Sequence, residues 1–112
     1  MADARSAANH VLSQFVAGEF AQIYKESALG FKQFGSESDF VTQYKKTRQK
    51  SGELRNPKET RYETRPGNNH VLTYRMDNER FIIDINLTFA RSTSGKMELT
   101  GLHEHDEPKN SK

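Results

Sequence analysis

The chain of 112 residues contains no cysteine and no tryptophan. Without thiols there is no disulfide, no thiol nucleophile and no cysteine-ligated metal. That absence leaves the compartment open, because exported bacterial domains can also lack cysteine. No stretch reaches the roughly 18 apolar residues of a membrane span. No basic start leads into an apolar run, so no signal peptide is visible, and Met1-Ala2-Asp3 fits either a native start or a trimmed one. A glycine-rich phosphate loop, a GxSxG turn and a His-Glu-x-x-His helix are all missing. An excess of charge of one sign is missing too: 17 Lys and Arg stand against 15 Asp and Glu, for a net charge of +2. So small an imbalance gives little reason to expect phosphate binding, and neither a nucleic acid partner nor a cofactor is expected.

What is present is wet but patterned. Hydrophobic residues make up 33% and charged residues 29%, with a mean hydropathy of -0.92. A chain of this length fits one domain, read here as residues 1–105, with 106–112 a polar C-terminal tail expected to fray. A core this thin is often supplemented by a partner, which makes self-association a reasonable suspicion.

Ala8, Val11, Leu12, Phe15 and Val16 recur at three- and four-residue spacing and predict a helix from about Ala4 to Ala17. Gly18 breaks it, and Phe20, Ile23 and Tyr24 resume the pattern in a second short helix ending near Ser27. Gly30 and Gly35 mark a loop whose Phe31 and Phe34 are expected to pack inward. Ser36 or Ser38 then offers a cap for a third helix with Phe40, Val41, Tyr44 and Thr47 inward. Lys45, Lys46, Arg48 and Lys50 fall towards its end, where cations favour the helix dipole, and Gly52 stops it. Beyond Pro57 the period drops to two. Strands are predicted from Thr60 to Arg65, Val71 to Met76, Arg80 to Arg91 and Met97 to His105, joined by turns at Pro66–Asn69, Asp77–Asn78 and Ser92–Gly95. Phe81, Ile83, Ile85, Leu87 and Phe89 form one apolar face that demands a cover. The prediction is an α+β fold, two to three N-terminal helices packed on a four-stranded antiparallel β-meander.

The run Phe15-Val16-Ala17-Gly18-Glu19-Phe20, followed by Ile23-Tyr24, resembles the helix–Gly–acid–aromatic break of the nuclear-transport-factor-like (cystatin-like) superfamily. The continuation is similar to a narrower bacterial group, the family of domain of unknown function 4019. Its pattern is carried by Tyr24, Ser27-Ala28, Phe31-Lys32, Phe40, Arg48, Gly52, Arg55, Tyr74 and Phe89, with Glu98, Thr100 and Gly101 in the final hairpin. The resemblance spans about Ala7 to His105. It departs where the family tends to place Trp; Tyr24, Phe40 and Met97 stand at those positions. The resemblance implies a curved sheet, a helix packed across it, sometimes a pocket between, and an exported or periplasmic setting. It brings no established activity.

Four sets of residues are candidates. His103 and His105 would share one side of a strand and two imidazoles can contribute to a metal site, although zinc normally takes three or four protein ligands. A solvated strand end is the plainer reading. Asp84, with Tyr74 or Tyr62 on neighbouring strands, is the candidate acid for pocket chemistry of the kind some superfamily members perform. The alternation, however, puts Asp84 away from the helices, on the solvent side. The stretch from Lys45 to Arg65 carries eight positive and three negative charges, and Arg48, Arg55, Arg61 and Arg65 are its candidate contacts for an acidic partner. A solvated helix face, with the charges also favouring the helix end, is the plainer reading. Ile82 and Leu102, near Val71 or Leu72, would form an apolar strip on the outer sheet face, suited to a homodimer or another protein.

The first reading is therefore a non-catalytic ligand- or protein-binding module, with self-association through the sheet as one form. The alternatives are a small-molecule pocket enzyme using Asp84, and an accessory domain binding an acidic partner through its basic stretch. Which applies turns on whether the space between helices and sheet is hollow or filled by Phe15, Phe20, Phe31, Phe40 and the residues from Phe81 to Phe89.

Overall fold

The helical periodicity of the first half and the alternation of the second both appear in the computed structural model, which describes residues 2–33 and 35–109. Phe34 and the end of the expected tail, 110–112, lie outside the described residues. Four helices, α1 (Ala2–Ala17), α2 (Phe20–Glu26), α3 (Leu29–Lys32) and α4 (Glu37–Ser51), precede four strands. The strands are β1 (Lys58–Arg65), β2 (Asn69–Asp77), β3 (Phe81–Arg91) and β4 (Met97–Pro108), paired antiparallel in the order β1-β2-β3-β4. The fold is thus α+β with an open antiparallel meander. The loop after α2 contains one extra helical turn, α3, and β4 runs three residues past the expected end at His105.

Local chemistry accounts for the boundaries. Gly18, at φ +78°, ends α1 in the left-handed region that side chains avoid. Ser36 caps α4 by accepting a hydrogen bond from the Asp39 N–H at 3.1 Å, and Glu37 and Asp39 add negative charge to the same end. Gly52 closes α4 at φ +90°, and a side chain there would meet the Asn78 amide at 3.0 Å. That amide nitrogen donates to the Ser51 and Glu53 carbonyls, while its oxygen accepts from the Arg80 and Phe81 N–H groups. One Asn side chain therefore fastens the β2–β3 turn to the end of α4.

The core lies between α1, α2, α4 and one face of the sheet. Ala4, Ala8, Val11, Leu12 and Phe15 of α1 are buried against Leu72, Tyr74 and Met76 of β2, Ile83 to Phe89 of β3 and Leu99 of β4. Each large apolar side chain so buried contributes about 1.5–3 kcal/mol. The cone between helices and sheet is filled by side chains: Phe15, Phe20, Ile23, Ile85, Leu87 and Phe89 are each no more than 3% exposed.

The register of β4 departs from simple alternation. Thr88 faces Gly101 but Phe89 faces Leu99, so Thr100 is an extra residue, a β-bulge. The bulge puts Leu99 and Leu102, three positions apart, on the same inner face. It also reverses the phase of everything that follows. Glu104, opposite Ile85, and Asp106, opposite Ile83, point at the helices, while His103 and His105 point outward.

Leu102, expected on the outer face, instead packs against the core opposite Leu87. Leu72 is also inside. Val71 and Ile82 remain on the outer face, separated by the rows Arg61–Thr73–Asn86–His103 and Lys58–Arg75–Asp84–His105. The apolar strip on which a sheet-mediated dimer was to rest is therefore not formed.

Candidate functional site

Two places combine side chains that the sequence keeps far apart: a buried polar cluster under the C-terminal half of α4, and an aromatic groove beside its N-terminal half.

The cluster follows from helical spacing. Phe40, Tyr44, Arg48 and Ser51 lie on one stripe of α4, and the bulge turns Glu104 and Asp106 up to meet it. Arg48 is ion-paired with Glu104, and the Ser51 hydroxyl donates to Asp106. The Glu104 side chain is 4% exposed and that of Arg48 16%. The Arg48 guanidinium also lies over the Phe15 ring, 5.5 Å from its centroid. Burial pushes the Glu104 carboxyl up to about 8; the neighbouring Asp106 adds to the rise and Arg48 opposes it. Burial likewise raises the Tyr44 hydroxyl, helped by the charge of Glu104. Among the described residues, one oxygen of each carboxyl and two guanidinium nitrogens of Arg48 are buried without a hydrogen-bond partner. A carboxyl with this environment has the proton affinity a general acid needs. It lines none of the clefts described below.

Arg48 therefore does not belong with the solvated basic face. Arg55 pairs with Glu53, and Arg61 and Arg65 both pair with Glu63, all at the surface. Of the four candidate arginines, then, one is buried and three are exposed and already facing acids.

Asp84 lies on the outer face, as the alternation requires, and takes a two-bond ion pair from Arg75 at 2.8 and 3.0 Å. The hydrogen bond and charge of Arg75 hold its carboxyl below the usual carboxylate range, opposite to what a general acid near neutrality needs. Tyr74 points inward, in line with Ile85, so the two residues are on opposite sides of the sheet. The Asp84–Tyr74 pairing expected of a pocket enzyme is not made. Tyr62 is inward as well, its hydroxyl 3.0 Å from Nδ1 of His70. His103 and His105 share the outer face beside Asn86 and Asp84. Among the described residues no group of three or more His, Asp or Glu side chains is placed to hold a metal ion.

The groove lies between α2, α3, α4 and the bulge of β4. It encloses about 350 Å³ and is lined by Tyr24, Phe31, Phe40, Tyr44 and Leu102, with Asp39 and Gln43 at its polar side. Its walls are held by ring contacts: Phe40 meets Tyr44, Phe31 and Tyr24 at centroid distances of 5.0, 5.6 and 5.8 Å. The Tyr24 hydroxyl donates to the Gly35 carbonyl at 2.6 Å and the Lys32 carbonyl at 3.1 Å, fixing the ring. The bulge supplies the floor, since it leaves Thr100, Gly101 and Leu102 facing the helices' edge. A second cleft of about 290 Å³ beside α1 is lined partly by His10, Gln14 and Glu26, whose polar groups are bonded to one another. A third, of about 220 Å³, lies between the α1–α2 junction and the end of α4. A shallow, wide depression of about 410 Å³ on the outer sheet face is occupied by the polar rows around Asp84.

Sequence reading placed Tyr24, Phe31 and Phe40 in the core and missed the groove they enclose. It also missed Glu104 and Asp106, although two apolar residues three apart in a strand, Leu99 and Leu102, signal a bulge. No protein-family model matches the chain, and comparison with curated proteins finds none that matches it.

Proposed function

We propose that the chain is a non-catalytic binding module of the nuclear-transport-factor-like type that takes a small organic ligand in the groove between α2, α3, α4 and β4. The observation that carries this is the groove's combination of size and lining. About 350 Å³ walled by four aromatic rings and a leucine lies within the range of small-molecule sites. The helix–sheet cone, where members of that superfamily sometimes hold a pocket, is filled here by Phe15, Phe20 and the β3 side chains. The binding surface is therefore displaced to the side of α4. The helix-then-meander order, the break at Gly18 and the helix laid across the sheet support the family reading. The enzyme alternative has one favourable feature, the raised Glu104, which lines none of the four clefts described above.

The test is an NMR fragment screen on the isotope-labelled chain. Binding fragments should shift Tyr24, Phe40, Gln43 and Leu102 together, and Gln43→Trp, which fills the groove from its exposed rim, should abolish those shifts. Hits that cluster on another surface, or that persist unchanged in Gln43→Trp, would overturn the assignment.

A further inference from the structure

We propose that this groove selects organic cations, of the methylated-ammonium class, over neutral molecules of the same shape. The inference rests on the groove being the binding site and goes on to name its ligand. Aromatic rings present negative π faces, and a weakly hydrated cation loses little solvation energy on entering among them. Four such rings line this one groove, with Phe40 in contact with the other three.

The charge at the site has the matching sign. Asp39 is the one carboxylate side chain in the lining, and no Lys, Arg or His joins it. Its backbone N–H is taken up by the Ser36 cap, but its carboxylate enters no ion pair among the described residues. Asp3, Asp77 and Asp84, by contrast, are paired with Arg91, Lys109 and Arg75. Glu19, Glu37, Glu79, Glu98 and Glu107 also enter no ion pair among the described residues. What sets Asp39 apart is its place beside the wall of rings, where its charge can meet a cation from solution. The amino end of α4 opposes this, and Glu37 together with Asp39 offsets it. Gln43 and Thr100 supply polar contacts for a hydroxyl or carbonyl attached to the ammonium.

An anionic ligand would meet the Asp39 charge with no basic side chain in the lining to compensate. A small metal cation would find a single carboxylate and no further oxygen cage. Neither fits as an organic cation does.

The experiment compares choline with 3,3-dimethyl-1-butanol, its uncharged carbon isostere, by NMR titration of the full chain. Choline should shift Tyr24, Phe40 and Gln43 and bind about fivefold more tightly than the alcohol. Asp39→Asn should remove that preference, and Gln43→Lys should weaken choline while sparing the alcohol. A thermal melt of each variant checks that the fold is kept. Equal affinity for the two probes, or a choline preference untouched by both substitutions, would overturn the cation assignment while leaving the groove as a binding site. Failure of both probes where fragments do bind would overturn it too. Failure of every fragment would bring down the binding module itself.

Discussion

Two arginine–carboxylate pairs lie on opposite faces of the same sheet, Arg48 with Glu104 inside and Arg75 with Asp84 outside. The residue types are nearly the same, yet the carboxyl groups are driven in opposite directions. Asp84, beside solvent, is held below its ordinary value by its partner; Glu104, under α4, is raised to about 8 despite its partner. What differs is the water. Outside, the acid keeps much of its hydration and the arginine adds to it. Inside, the loss of hydration and the second acid, Asp106, outweigh the arginine. A salt bridge drawn between two residues therefore says little until its burial is known.

The comparison breaks most completely if the phase of β4 after the bulge is changed. Deleting His103, a paired residue just past the bulge, shifts the rest of β4 by one, which turns Glu104 and Asp106 outward and His105 inward. Urea unfolding should show the loss of most of the folding free energy or of cooperative unfolding altogether. The next largest effect is expected from Arg48→Ala, which removes the hydrogen-bonding partner of Glu104 and opens space above Phe15. Leaving a buried carboxyl without its partner costs about 1–3 kcal/mol, measurable by the same titration at pH 7.

Two further variants separate the pairs by pH. The folded-state value of Glu104 exceeds its unfolded value of 4.5, so the folded chain binds the proton more tightly. That contribution to stability is fully present below about pH 4.5 and is lost as pH rises towards about 8. Relative to the wild type, Glu104→Gln should gain stability across this window, at up to about 1.4 kcal/mol per pH unit. Asp84 has the reverse sign: its contribution is present above the unfolded value and is lost as the medium is acidified through its lowered folded value. Asp84→Asn should flatten only the acid limb, by the least of these amounts, and less still in high salt. Thermal melts of both variants from pH 3 to pH 9 check the two signs together.

Much of the fold was legible in the residues because simple periodicities carried it. The stripe Ala8–Leu12–Phe15, the stop at Gly18 and the five alternating apolar residues from Phe81 to Phe89 each map onto the observed elements. The turn at Pro66–Asn69 does so too, with Gly67 and Asn68 both at positive φ. The sites were less legible, for one physical reason. Residues 97–108 look uniformly alternating only if no residue is inserted, and a single bulge at Thr100 changes the side on which eight later residues lie. Arg48 was similarly misplaced by its charge, although its spacing from Phe40 and Tyr44 marks it as part of the buried stripe. The groove could not be read at all, because its rings come from three helices whose mutual angles no local pattern encodes.

The covering of the sheet by α1 also bears on the order in which the chain folds. Each strand pairs with its neighbour in sequence, so the meander needs only short loops to close. The apolar stripe of α1 has its partners on β2, β3 and β4, and the ion pair between Asp3 and Arg91 spans 88 positions. As the chain emerges during synthesis, that helix is made first and finds its cover last. Until β3 and β4 exist, Ala8, Leu12 and Phe15 have only each other, α2, α4 and β2 to bury against. The sheet is thus the local, fast part of this molecule, and docking of its oldest helix is the step that waits.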